Sequence, residues 1–170
     1  MYGIVHGGTD EALRRESAAL LGEMPFDGYA VGGSLGEDRT EMLQLLDFLA
    51  PLLPDGKPTH LLGIGDPQSV AAVVARGIDT MDSCYPTRVG RHGNLFLTGG
   101  GVLKIAQREH ADDFGPVDPQ CETVAHSRAY LHHLLKQNEP LFWTLAAQHN
   151  LAFMNQLMGR LRERILNDEI

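Results

Sequence analysis

The residues best suited to chemistry lie in the stretch 77–93, Gly-Ile-Asp-Thr-Met-Asp-Ser-Cys-Tyr-Pro-Thr-Arg-Val-Gly-Arg-His-Gly. The run from Ile78 to Met81 reads as a short strand that delivers Asp82 at its end, and a loop with Pro86 then carries Arg88 and Arg91. A carboxylate at the C-terminal end of a strand, beside two fixed cations, suits a sugar or phosphate-bearing substrate and a nucleophilic role. An aspartate there also caps its own loop. The residues alone leave both readings open.

The elements that must position Asp82 form a regular series. Gly3-Ile4-Val5 predicts a strand, followed by a helix over about 10–23 capped by Thr9 or Asp10, with Leu13, Leu20, Leu21 and Met24 on one face. Residues 27–33 predict a second strand ending in Gly32-Gly33, then a helix over about 38–50 with Met42, Leu45, Leu46 and Leu49 inward. Residues 59–65 predict a third strand, and Asp66-Pro67 starts a helix that buries Val70, Val73 and Val74 and stops at Gly77. Strand and helix alternating in this way imply a parallel sheet. Glycines at the strand ends let a ligand approach the backbone, and they also serve as ordinary tight turns.

Beyond Asp82, residues 94–98 and 102–105 flank Gly99-Gly100-Gly101 as a hairpin, and 112–119 is a loop. A helix is expected over 127–136, with Tyr130, Leu131, Leu134 and Leu135 inward. A last helix runs from Pro140 to about Asn167, with Leu141, Leu145, Phe153, Leu157, Leu161 and Ile165 as its stripe. The reading divides the chain into a strand–helix part, 1–93, and a hairpin and helical tail, 94–170.

At 170 residues and 43% hydrophobic, the chain is long enough for a sizeable core. No stretch matches a membrane helix or a signal peptide, and two cysteines make no disulfide framework, so a cytoplasmic setting without a membrane is expected. A net charge of −8 argues against a generally nucleic-acid-coated surface. The cluster Arg88, Arg91, His92, Lys104 and Arg108 is locally basic.

Taken together, Gly3-Ile-Val-His-Gly-Gly8, Asp27-Gly-Tyr-Ala-Val-Gly-Gly33, Leu62-Gly-Ile-Gly65, Gly77-Ile-Asp-Thr-Met-Asp82, Pro86-Thr-Arg88 with Arg91 and Gly93, Ser127-Arg-Ala-Tyr-Leu131 and His149-Asn150 resemble the tRNA-guanine transglycosylases in order. The resemblance spans essentially the whole chain. It implies an α/β fold, the C-terminal half of a (β/α)₈ TIM barrel: four parallel strands plus a hairpin and helical subdomain. Members of that family exchange the wobble guanine of tRNA for queuine or a 7-deazaguanine precursor. The resemblance places Asp82 at the nucleophile that attacks ribose C1′, the carboxylate chemistry of retaining glycosidases. His6, Gly32, Gly33, Leu62 and Gly63 fall at base-binding positions, and Arg88 and Arg91 at positions that hold the anticodon region, where splayed single-stranded bases are read.

The chain departs from the family pattern in several places. His6 stands where the family has Gln, and Ser34 where Leu is common. The family zinc site needs three cysteines and a histidine. Only Cys121 and His149 match, in a segment about three residues shorter, so zinc is expected to be lost unless His126 or Glu122 completes the site. The first four strands, with the family's general base, are absent. Open sheet edges would then invite association, so the chain is expected to be a fragment, half of a split protein, or a half-barrel whose homo- or hetero-oligomer supplies the missing half-barrel. The competing functions are a non-catalytic tRNA-binding or partner subunit and a generic (β/α) enzyme acting on a small molecule.

Overall fold

In the computed structural model, which describes residues 1–121 and 125–170, the chain divides into a unit Met1–Ser83 and a unit Cys84–Ile170. The first holds β1 (Tyr2–Val5), α1 (Glu11–Gly22), β2 (Gly28–Val31), α2 (Arg39–Leu49), β3 (Thr59–Leu61), α3 (Pro67–Val74) and β4 (Thr80–Met81). The four strands are parallel and lie in the order β1-β2-β3-β4, as the alternation predicts. Each helix begins on an aspartate whose side chain takes first-turn N–H groups: Asp10, Asp38 and Asp66. Such caps are worth about 1 kcal/mol each.

Register fixes which residues share a row. Val5, Val31, Leu61 and Met81 are aligned, and one residue earlier so are Ile4, Ala30, His60 and Thr80. The first row packs into the core with Ala18, Met42, Leu45, Leu46, Leu49, Val73 and Ile78. By alternation the second row lies on the other face of the sheet. The strand β4 is short because Asp79 enters the ladder partly through its side chain: its Oδ2 accepts the Thr59 N–H at 2.7 Å, while its own N–H donates to the Thr59 carbonyl.

The inward face of α2 is as expected. That of α1 is not. Leu13 and Leu20 are more than half exposed and Met24 is exposed, whereas Arg14 and Ala18 are buried and Leu21 packs against the core. The positions 14, 18 and 21 have helical spacing just as 13, 20 and 24 do. The apolar stripe was the wrong one of two, because Arg14 finds acceptors inside.

The second unit holds α4 (Tyr85–Arg91), the antiparallel hairpin β5 (Asn94–Phe96) and β6 (Val102–Lys104), α5 (Arg128–Lys136) and α6 (Pro140–Leu166). The segment carrying Arg88 and Arg91 is therefore a short helix, not a loop: Pro86 sits in its first turn, where a missing N–H costs nothing. The core of this unit gathers Leu95, Leu103, Ile105, Leu131, Leu134, Phe142, Leu145 and Ala146. Tyr130, Leu141 and Ile165, predicted inward, are exposed, whereas Leu145, Phe153 and Leu161 on α6 are buried as expected, and the buried face also takes Phe142, Ala146, His149 and Asn150. The two polar residues join the apolar stripe because both have backbone partners. Among the described residues no helix is long and apolar enough to cross a membrane.

Candidate active site

Because Val5, Val31, Leu61 and Met81 are in register and each ends its strand, the next residue of each strand falls at one sheet edge. Those residues are His6, Gly32, Leu62 and Asp82. Lying two beyond Ile4, Ala30, His60 and Thr80, they continue the row that faces away from the core. The positions that the sequence reading singled out are thus set side by side along the carboxyl edge of a parallel sheet, where βα loops build sites.

The glycines at this edge have steric reasons. A Cβ on Gly32 would lie 2.5 Å from Leu62 Cδ1, so Leu62 packs down onto bare backbone. Gly33 has φ +75°, and a Cβ on it would meet His6 Nδ1 at 3.4 Å. His6 and Gly33 are therefore neighbours across the β1 and β2 turns. Gly63 also has positive φ, +79°, and its N–H points to Asp82 Oδ1 at 3.3 Å.

Asp82 itself is more than half exposed. Its Oδ1 is held twice, by the Gly63 N–H and by His60 Nε2 at 3.1 Å. The other ring nitrogen of His60, Nδ1, lies 2.8 Å from Thr80 Oγ1. A carboxylate only accepts, so His60 donates from Nε2 to Asp82, while its Nδ1 pairs with the Thr80 hydroxyl. The result is a carboxylate with Oδ1 fixed and, among the described residues, no hydrogen bond on Oδ2, the arrangement an oxygen nucleophile requires. Sequence reasoning missed His60; its only signal is the two-residue offset from Leu62, which acquires meaning once the register with Thr80 is known.

In the second unit, α4 lies directly against α6. A Cβ on Gly90 would come within 2.9 Å of the Ala146 carbonyl, and Asn150 Nδ2 donates to the Pro86 carbonyl at 2.9 Å. The helix so held leaves Arg88 and Arg91 exposed, with the Arg88 guanidinium 5.9 Å from the Tyr85 ring centre.

Two further candidates are buried. Cys121 sits with Phe96 and Phe153. His149 donates from Nε2 to the Phe96 carbonyl at 2.8 Å, and its buried Nδ1 has no partner. Burial pushes the His149 pKa below its ordinary value, so the ring is neutral. Its Nδ1 lone pair could serve a metal, but His126 packs at a tilt against Tyr130, 4.9 Å between ring centres, and Glu122 lies outside the described residues. Among the described residues no three His, Cys, Asp or Glu side chains gather, so they do not furnish a closed tetrahedral zinc site.

The family model for queuine tRNA-ribosyltransferase matches residues 1–170. The chain is similar over its full length to the queuine tRNA-ribosyltransferases of Protochlamydia amoebophila (51% identical, 44% of that protein covered), Chlamydia caviae (47%, 46% covered) and Chlamydia abortus (45%, 46% covered). It spans a little under half the length of these relatives.

Proposed function

The chain belongs to the queuine tRNA-ribosyltransferase family, and from that premise we propose that its sheet edge is half of a site for exchanging a guanine-type base on tRNA. The observation that carries the reading is the set of strand-end residues His6, Gly32, Leu62 and Asp82 in one row, with no hydrogen bond on the carboxylate's Oδ2 among the described residues.

In this reading Asp82 Oδ2 attacks C1′ of the target nucleotide. The C1′–N bond breaks and its electron pair leaves with the guanine, which takes up a proton. A 7-deazaguanine base such as queuine or its precursor, relieved of its ring N–H proton, then attacks C1′ and releases Asp82 as a carboxylate. The protons are handled by an acid–base group outside these residues, which the family resemblance places in the preceding half. His60 and Gly63 donate to Oδ1 and so hold the carboxylate in place with Oδ2 toward the substrate side. The turns at His6, Gly32 and Gly33 receive the base, with Leu62 as its wall, and Arg88 and Arg91 hold the RNA backbone.

The sheet has its edges at β1 and β4, and Tyr2, Ile4, Leu13 and Leu20 at the β1 side are exposed apolar groups. A partner contributing the remaining strands, as a homo- or hetero-oligomer, would pair and cover them. The test is labelled-guanine exchange into tRNA by the chain together with a preceding half-barrel from a relative. Asp82→Asn keeps shape and removes charge, and is expected to keep tRNA binding and lose exchange by roughly 10⁴-fold or more, the scale of losing a covalent nucleophile. Exchange at the parent rate in this variant would remove Asp82 from the chemistry. Tight tRNA binding without exchange by the parent would favour a non-catalytic subunit.

A further inference from the structure

Arg14 is fully buried, and among the described residues it forms no ion pair with a carboxylate. A buried cation is costly unless its donors are placed. Four of its five N–H groups go to backbone carbonyls: Nε to Gly8 at 2.8 Å, Nη1 to Val5 at 2.7 Å, and Nη2 to both Gly32 at 3.0 Å and Ser34 at 2.9 Å.

The choice of carbonyls is informative. Val5 and Gly8 bracket His6 and Gly7; Gly32 and Ser34 bracket Gly33. One guanidinium therefore clasps both turns on either side of the residues that line the base position. These turns have little stiffness of their own, since Gly7, Gly8 and Gly33 all have positive φ. The helix reinforces the clasp at two more points. A Cβ on Gly7 would lie 2.7 Å from the Arg14 amide nitrogen, so the first turn rests on α1 at Arg14 itself, and Ser17 Oγ accepts the His6 N–H at 3.2 Å. Because a peptide unit is planar, fixing the Gly32 carbonyl also fixes the direction of the Gly33 N–H.

We propose that Arg14 is the positioning residue of the base site, holding the β1 and β2 turns in register so that His6, Gly32 and Gly33 meet the incoming base together. The inference rests on the base-exchange reading above and adds to it the device that preorganises the site. A planar fork is required: a lysine ammonium in its place carries charge but cannot span four acceptors on two turns.

The experiment compares the parent chain with Arg14→Lys. In the 170-residue chain, amide hydrogen exchange at 6–8 and 33–35 is expected to speed up about tenfold, the scale of losing one charge-assisted hydrogen bond, with α2 and the second unit unchanged. In the exchange assay with a preceding half-barrel, the KM for the free base is expected to rise about tenfold, with kcat and the KM for tRNA within about twofold. A residue that merely held the fold would lower the amount of active protein, and so kcat, without moving the KM for the base. Unchanged base KM, or a change in kcat alone, overturns the inference and leaves the reaction standing. No exchange by the parent assembly overturns the reaction and the inference together. Arg14→Gln, with donors but no charge, is the second variant: if both variants unfold the first unit, Arg14 is a core residue only and the inference fails.

Discussion

In the first unit the fully buried cation Arg14 reaches the carbonyl of Val5, the last residue of β1, and those of Gly8, Gly32 and Ser34 in the turns beyond β1 and β2. In the second unit the fully buried neighbours His149 and Asn150 reach elements of regular structure: the β5 strand through Phe96 and Asn94, and α4 through Pro86. Asp118 is different, accepting the N–H groups of Thr98 and Gln120, both in turns, at 2.6 and 3.0 Å. Through His149 and Asn150, polar burial in the second unit joins elements to one another. In the first it shapes irregular backbone at a sheet edge. The apolar surface differs in the same sense. Tyr2, Ile4, Leu13, Leu20 and Met24 are exposed on β1, α1 and the turn after it, and β1 is an edge strand of the sheet.

The sharpest way to break this comparison is Asn150→Leu. The leucine fills the space but strands the Phe96 N–H and the Pro86 and Asn94 carbonyls. Leaving buried groups unsatisfied costs about 1–3 kcal/mol each, so a loss of about 3 kcal/mol or more is expected. The chain has one tryptophan, Trp143, and it lies on α6, so its fluorescence during urea unfolding reports the second unit. Amide exchange at Val5, Val31 and Leu61 reports the first. A large shift in the tryptophan signal with those amides unmoved is the expected result; equal loss in both would mean that the units do not stand on separate interiors.

The apolar side of α1 gives a second, smaller effect. Replacing both Leu13 and Leu20 with Lys removes surface groups that contact nothing in the core, so stability should hold to within about 0.5 kcal/mol per site. Association, with itself or with a supplied half-barrel, should weaken, read by sedimentation velocity. Unchanged association would assign the seam to some other surface.

Much of this architecture was legible because its signals are local. Aspartate caps, Pro67 and the apolar spacing of α2 each dictate their element without tertiary help. The hairpin followed from Gly99-Gly100-Gly101 between two short apolar runs. The failures have a common cause. On α1 and α6 the buried faces include Arg14, His149 and Asn150, whose burial depends on carbonyls distant in sequence that no periodicity reveals. The arginine segment read as a loop because Pro86 and Gly90 are breakers, yet Pro86 opens the helix and Gly90 lets it lie against α6. Within the candidate site, Asp82 and the glycines could be found from family motifs. His60 could not, since its role depends on which residue of the adjacent strand stands beside it.

The smallest expected effect concerns acid. Burial raises the Asp66 carboxyl pKa, but the Ser69 hydroxyl and N–H and the Arg39 guanidinium outweigh it and hold it below its ordinary value of 3.8. The unfolded chain therefore takes up this proton at a higher pH than the folded one. The contribution of Asp66 is fully present above the ordinary value and is lost as pH falls through the folded value. It is bounded at about 1 kcal/mol, because the Arg39 pair is partly exposed and screened by solvent. Asp66→Asn keeps an oxygen for the cap and removes the proton linkage. In this variant the amides of β1–β3 should lose part of their pH dependence below about pH 4, with no change near neutrality. The second unit has its own lowered carboxylates: Asp113, held by the Gly115 N–H and Arg128, and Asp118, where the Thr98 and Gln120 N–H groups outweigh burial. Trp143 should therefore report the same acid limb in Asp66→Asn as in the parent. An acid limb that softened equally in both units would show the two interiors titrating as one and would end the contrast between them.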